Sequence, residues 1–472
     1  MNVDTKKWTN KIMRVAENKK YFIYTMGCQL NENDSEKISG ILKESGLIKT
    51  SNPEEADIIV FNTCCVRENA EERLLGKIGE VKRFKENNGA ILVIAGCMMQ
   101  EKNMVEKIKK SYSFVDLLFG PHTLDKFPED LYYVLEEHKK VDDIIDIDGV
   151  IYEGIPVDRN DKYKASVSIM NGCNNFCSFC IVPYVRGRER SRNPQDIINE
   201  IQELAKQGYK EITLLGQNVN SYLVSQKLKG ENVDYRVKLK DSQEELNVNS
   251  FATLLRSINK IKGVERIRFI SPHPKDFTDD VIDAIKDCGN VCKLIHLPLQ
   301  SGSTEILKVM NRKYTKEQYL GLVERIREKI PNVTFSTDII VGFPGETEED
   351  FEDTLDVVRQ VCFEQVFMFI YSRRFGTVAD KMENQVEEKV KHERFERLKR
   401  LYESQVEKVN KSYIGTIQRI FVEGTSKTNN KILTGRTESN KVVNFEGGKE
   451  LIGKMVDVKI ISEHMWYLKG EI

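Results

Sequence analysis

Apolar residues along the chain switch between two periods, and the switching marks out elements before any other feature is considered. After a polar, Lys-rich leader of about twenty residues, Tyr21–Met26 forms a short apolar run. Ile38, Ile41 and Leu42 then recur at helical spacing, and Ile58–Phe61 reads as a second buried strand. A charged helix follows from Glu68 to Glu86, then a third strand at Ile91–Ala95. Strands alternating with helices predict a parallel sheet with helices on its faces.

From about Leu124 to Asp161 the chain turns acidic and weakly patterned, which reads as the link to a second domain. From Ala165 the alternation resumes. Six strand-like runs follow: Ala165–Met170, Ile212–Leu215, Arg266–Ile270, Leu294–Leu297, Val333–Val341 and Val366–Tyr371. Helical patterns separate them, as in Ile197, Ile198, Ile201, Leu204 and Ala205. Six such units predict an open (β/α)6 partial barrel with its chemistry at the carboxyl ends of the strands. The polar stretch Leu223–Asn249 reads as a surface insertion without its own core. A charged helix from Glu387 to about Asn410 closes the domain. Beyond it, Ile417–Val422 and Val456–Ile461 are short strand-like runs among Gly, Asn and Lys, as in a small all-β barrel. The expected fold class is α/β, divided into a leader 1–20, a parallel α/β domain 21–145, a linker 146–161, a partial barrel 162–400 and a small β-barrel 405–472.

Composition changes this picture in two ways. With 472 residues and a net charge of -1, the chain is too long for one domain and is not globally basic, so any nucleic-acid contact must be gathered locally. Residues 411–472 carry ten Lys/Arg against seven Asp/Glu, a local excess of three. The first twenty residues lack an apolar h-region, and the apolar stretch at Ala90–Met99 is too short to cross a bilayer. The expected location is the cytoplasm, with no membrane partner. In that reducing compartment ten cysteines read as metal ligands or catalytic groups rather than disulfides.

Cys28, Cys64 and Cys97 each follow the end of one of the first three strands, where open sheets bind ligands. Their separations are too long for a local zinc motif. Cys65, adjacent to Cys64, points to the other side of the strand end. The sharpest signal is Cys173, Cys177 and Cys180, a C-x3-C-x2-C run after the first barrel strand. Three thiolates on one loop can hold three irons of a four-iron cluster and leave the fourth open to a small ligand. A structural zinc site wants four ligands, and no His or fourth Cys lies nearby in sequence. Phe176 and Phe179 are placed to shield such a cluster from water. Cys288, Cys292 and Cys362 read as small buried residues.

A C-x3-C-x2-C loop after the first strand of a six-fold β/α barrel resembles the radical S-adenosylmethionine superfamily. The stretch Met170–Arg192, MNGCNNFCSFCIVPYVRGRERSR, resembles the signature of the MiaB-type methylthiotransferases, as do Asn62–Glu68, Gly216–Tyr222, His296–Ser303 and Asp338–Glu346. The resemblance runs from Tyr21 to the C-terminus. It implies a carboxyl-terminal RNA-binding TRAM domain, two [4Fe–4S] clusters and S-adenosylmethionine, with Cys28, Cys64 and Cys97 as ligands of an auxiliary cluster and Cys65 a bystander. It implies methylthiolation of C2 of N6-isopentenyl-adenosine beside the anticodon of transfer RNA. A low-potential electron donor such as flavodoxin or ferredoxin, a sulfur donor and a monomeric state are further expectations. The same chemistry on threonylcarbamoyl-adenosine or a ribosomal-protein aspartate, and a non-catalytic iron–sulfur RNA-binding protein, stay open as other readings.

Further site residues follow from place. Gly342, in a Gly-Pro-Gly loop after the fifth barrel strand, lets a ligand approach the backbone. Gln217 and Asn218 after strand two, and Ser271, His273 and Gln300 after strands three and four, are similarly placed for S-adenosylmethionine. His273, between two prolines, reads equally as a turn residue. Arg186, Arg188, Arg190 and Arg192 alternate, and in an extended chain would form one guanidinium face beside the cluster, suited to phosphates. Lys427, Lys431, Arg436 and Lys441 are candidates for RNA backbone contacts in the tail.

Overall fold

The computed structural model describes residues 3–65, 69–145, 150–240, 244–426 and 429–472. The first domain comprises α1 (Val3–Ala16), β1 (Lys20–Met26), α2 (Gln29–Glu44), β2 (Ile48–Lys49), β3 (Ile58–Thr63), α3 (Asn69–Asn88), β4 (Ile91–Gly96), α4 (Lys102–Ser111), β5 (Leu117–Phe119), α5 (Phe127–Glu137) and β6 (Val141–Asp143). Its sheet is parallel throughout, in the order β2-β1-β3-β4-β5-β6. Isoleucine, valine and phenylalanine fill β3, which is buried along its whole length as a strand covered on both faces must be. Ile38 and Ile41 of α2 pack with Phe127 and Leu131 of α5 on one face, and Leu74, Ile78 and Ile108 of α3 and α4 on the other. The chain reverses its direction of growth between β1 and β3, which opens a crevice at their carboxyl ends.

Two expectations are corrected here. The polar leader is a helix, because Ile12 and Ala16 are buried against the sheet's first face and Trp8 sits between Tyr132 and Tyr133 of α5, at 5.4 and 5.5 Å. The acidic stretch after Leu124 holds α5 and β6, so the sheet gains a sixth strand before the link begins. Within the link, Asp158 accepts from Ser39 at 2.9 Å, while Arg159 pairs with Glu36 and Glu200 at 3.4 and 2.7 Å, bolting the two domains together.

The second domain runs β7 (Lys164–Ser168), β8 (Met170–Asn171), α6 (Val182–Val185), β9 (Arg190–Ser191), α7 (Pro194–Lys206), β10 (Glu211–Leu215), α8 (Val224–Leu228), β11 (Tyr235–Lys238), β12 (Glu245–Val248), α9 (Phe251–Asn259), β13 (Arg266–Phe269), α10 (Asp279–Asp287), β14 (Leu294–His296), α11 (Thr304–Val309), α12 (Lys316–Lys329), β15 (Thr334–Val341), α13 (Glu348–Val361), β16 (Gln365–Ile370) and α14 (Glu388–Ser412). Two parallel sheets, β7-β10-β13 and β14-β15-β16, are joined by a parallel bridge from Ile267 to Val291. Together they form the expected open six-stranded partial barrel. The insertion is an α8 turn and an antiparallel β11–β12 hairpin. Val233, Val237, Leu239 and Val248 are buried in the barrel's own outer core, so the stretch is a packed flap rather than a bare surface loop.

The third part is a closed five-stranded barrel of β17 (Ile417–Thr425), β18 (Ile432–Arg436), β19 (Val442–Glu446), β20 (Met455–Glu463) and β21 (Leu468–Glu471). It docks on the amino ends of the large barrel's strands. Arg266 donates to the carbonyls of Arg436 and Arg419 at 2.9 and 2.6 Å, and Arg268 to those of Thr437 and Glu438 at 3.1 and 2.9 Å. Lys164 pairs with Glu423 at 2.9 Å. Among the described residues no helix is long and apolar enough to cross a membrane.

Candidate iron–sulfur sites

Strand register sets the first site. Met26 of β1 pairs with Thr63 of β3, and Thr63 with Gly96 of β4. Cys28, Cys64 and Cys97 therefore leave three neighbouring strands at nearly one level, on strands about 5 Å apart. Two glycines make room. Gly96 has φ +101° and a β-carbon there would collide with the Thr63 carbonyl oxygen, while a β-carbon at Gly27 would lie 2.8 Å from the Cys64 β-carbon. Cys28 caps the amino end of α2, and Cys97 opens a 3-10 turn at Cys97–Gln100, positions that favour a thiolate. A hydrogen bond from Cys64 lowers the Cys28 thiol to about 5 despite burial, with Arg186 assisting. A hydrogen bond with Cys65 and the Arg186 guanidinium lower Cys97, and the same bond and burial raise Cys65. Cys65 thus packs with Cys97, Ile181 and Val185 at the edge of the site.

The second site is the loop after β8. Gly172, with φ +78°, lies against the Arg188 carbonyl where no β-carbon would fit, and Phe176 is also left-handed at φ +48°. The loop is fastened from behind. Asn311 donates to the carbonyls of Asn175 and Phe176, both at 3.0 Å, and the Ser178 hydroxyl to that of Val309 at 2.6 Å. Burial pushes the Cys173 thiol up to about 11 and raises Cys180. Arg312, buried, donates to Cys177 Sγ at 3.4 Å and to the Pro298 carbonyl at 2.9 Å. Glu189, pushed up to about 7 by burial, accepts from the Ser221 hydroxyl at 2.6 Å and ties this loop to the one after β10.

Both triads offer three thiols, the donor type that holds an iron–sulfur cluster. Ligation deprotonates thiols, so it must overcome the burial that holds the Cys173 and Cys180 protons on, whereas Cys28 and Cys97 are already lowered. Gln217 and Asn218 each keep a buried amide oxygen with no hydrogen-bond partner, the kind of acceptor a ligand's amino group would fill.

Comparison with known proteins agrees with this division. The Radical SAM superfamily matches residues 167–358, Uncharacterized protein family UPF0004 residues 20–120 and the TRAM domain residues 411–472. Curated relatives named tRNA-2-methylthio-N(6)-dimethylallyladenosine synthase match end to end. The one from Clostridium beijerinckii is 53% identical over 100% of both chains, and that from Acetivibrio thermocellus 51% identical over 98% of this chain and 92% of its own. The chain belongs to the tRNA-2-methylthio-N(6)-dimethylallyladenosine synthase family. Membership of the radical SAM superfamily brings S-adenosylmethionine and a [4Fe–4S] cluster. Among solved structures, the radical S-adenosylmethionine methyltransferase TsrM from Kitasatospora setae shares the fold, with a TM-score of 0.54 at 15% identity over 77% of this chain and 75% of that one.

The remaining expected residues divide by where the family fold puts them. Asn218 donates to Asp276 at 2.8 Å, and Gln217 lies 3.5 Å from Asn171 Oδ1, beside the cysteine loop. Ser271 and Gln300 are left-handed at φ +56° and +70°, and the Gln300 backbone bridges to β15. Gly342, φ +71°, donates its N–H to Glu346 at 3.0 Å. His273 is buried and accepts from the Lys275 N–H at 3.2 Å, the geometry of a turn residue.

The arginine face is a correction. The segment is extended only at β9: α6 precedes it and Gly187 is left-handed at φ +75°, so the alternation does not give one face. Arg186 is buried against Cys97 and Asp34, and Arg192 pairs with Glu153 and Glu200 at 2.7 and 2.8 Å. Arg188, which stacks on the Phe176 ring at 4.4 Å, and Arg190 are exposed. In the tail, Arg436 pairs with Glu423 at 3.3 Å, and Lys441 is turned inward to Glu364 at 3.3 Å. Lys431 is exposed, and Lys427 lies outside the described residues. Cys288 and Cys292 are buried as expected, but Cys362 is exposed at the end of α13. Arg186 and Arg312 escaped sequence reasoning as sulfur partners, since nothing local to either predicts the contact.

Proposed function

We propose that this chain attaches a methylthio group to C2 of N6-isopentenyl-adenosine beside the anticodon of transfer RNA. The observation that carries the reading is the pair of cysteine triads, one at the strand ends of each α/β domain, in a chain of this family. Cys173, Cys177 and Cys180 hold one [4Fe–4S] cluster, and Cys28, Cys64 and Cys97 hold a second, auxiliary one. When bound, the barrel cluster and S-adenosylmethionine supply a radical, and the auxiliary cluster supplies the sulfur. Radical chemistry suits the target, because an aromatic C2–H is too weakly acidic for side-chain bases.

The chain's own residues do the rest. Gln217 and Asn218 offer acceptors to the S-adenosylmethionine amino group, and Gly342, Ser271 and Gln300 shape the backbone around it. Phe176, Phe179 and the buried loop keep water from the sulfur atoms. Of the residues expected to contact RNA, Arg188, Arg190 and Lys431 are exposed and would meet its phosphates. A flavodoxin or ferredoxin would deliver the electron, and a separate donor would replace the sulfur. Cys177→Ala should abolish 5′-deoxyadenosine release. Cys64→Ala should keep that release and lose methylthiolation; methylthiolated RNA from Cys64→Ala protein would contradict the auxiliary assignment.

A further inference from the structure

Arg186 belongs to the cysteine loop of the large barrel, yet its guanidinium ends inside the other domain. Its side chain is 5% exposed. Nε lies 3.0 Å from Cys97 Sγ, Nη2 2.6 Å from Asp34 Oδ2 and Nη1 3.5 Å from Asn171 Oδ1. Salt bridges alone would leave the Nε–H for solvent; here it is spent on a ligand sulfur. A charged N–H donor to sulfur in a buried site stabilises negative charge on that sulfur strongly, because little water screens it.

We infer that Arg186 is a positioning residue that raises the reduction potential of the cluster held by Cys28, Cys64 and Cys97, with Asp34 as the opposing charge. This rests on the second-cluster reading above. Reduction adds an electron to a group already negative through its thiolates. A cation at one ligand sulfur therefore favours the reduced state, and an anion beside that cation opposes it. Asp34 and Arg186 touch each other, so a purely structural role would make their losses resemble one another. An electrostatic role gives them opposite signs.

The test uses full-length protein carrying Cys173→Ala, Cys177→Ala and Cys180→Ala, reconstituted anaerobically with iron and sulfide. Iron content is measured first, then the midpoint potential by redox titration read by electron paramagnetic resonance. Arg186→Gln should shift the midpoint to more negative potential, Asp34→Asn to more positive, and Arg186→Lys should stay nearer the parent than Arg186→Gln. Shifts of the same sign, or none, overturn the inference. Should Arg186→Gln not load iron, Asp34→Asn decides alone, and the absence of a positive shift counts against it. If the parent itself holds no iron, the second cluster does not exist and this inference falls with it.

Discussion

Single residues carry this protein's chemistry, and they divide by how local their signal is. The cysteines were legible because a thiol just past a strand end, or three on one short loop, is a pattern within the sequence itself. The buried arginines were not. Reading Arg186 to Arg192 as one face assumed an extended chain, and Gly187 at φ +75° breaks that assumption. Asp130 shows a different residue-scale effect. Burial, with Asp143 beside it, raises its carboxyl from 3.8 to about 7. The folded state therefore keeps a proton that the unfolded chain releases, and stability falls as pH climbs through that window. Asp130→Asn should stabilise the protein at about pH 8 and do little at about pH 4, as read by urea unfolding. An equal effect at both would contradict the burial account.

At the scale of elements, register does what no single residue can. Pairing of Met26 with Thr63 and Thr63 with Gly96 brings together cysteines separated widely in sequence. Gly96→Ala forces a β-carbon toward the Thr63 carbonyl at a left-handed φ. It should reduce iron from about eight to about four per chain, by iron assay, while leaving 5′-deoxyadenosine release intact. Strand runs were readable from apolar period and length. The leader helix was missed for its low overall hydrophobicity, although Trp8, Ile12 and Ala16 already stand at helical spacing. The flap β11–β12 was missed because its few apolar residues are buried by a neighbour's core rather than its own.

At the scale of the whole molecule, the small barrel sits at the amino ends of the large barrel's strands, opposite the cysteine loop. Nothing local in sequence records this, because Arg266 and Arg268 meet carbonyls of residues 419 and 436–438, far along the chain. Both arginines also lie near buried Glu211, at 3.8 and 3.2 Å. Replacing Arg266 and Arg268 together by alanine should free the small barrel. Proteolysis between α14 and β17 should then rise, and transfer-RNA affinity should fall while 5′-deoxyadenosine release without RNA is kept. Unchanged proteolysis would mean that the docking rests on other contacts.

The most direct test of the central claim is mass spectrometry of nucleosides from isopentenylated transfer RNA. The RNA is incubated anaerobically with the reconstituted protein, reductant and S-adenosylmethionine. The account predicts a new 2-methylthio nucleoside that disappears with either Cys64→Ala or Cys177→Ala. A protein that releases 5′-deoxyadenosine yet leaves this RNA unmodified would contradict it.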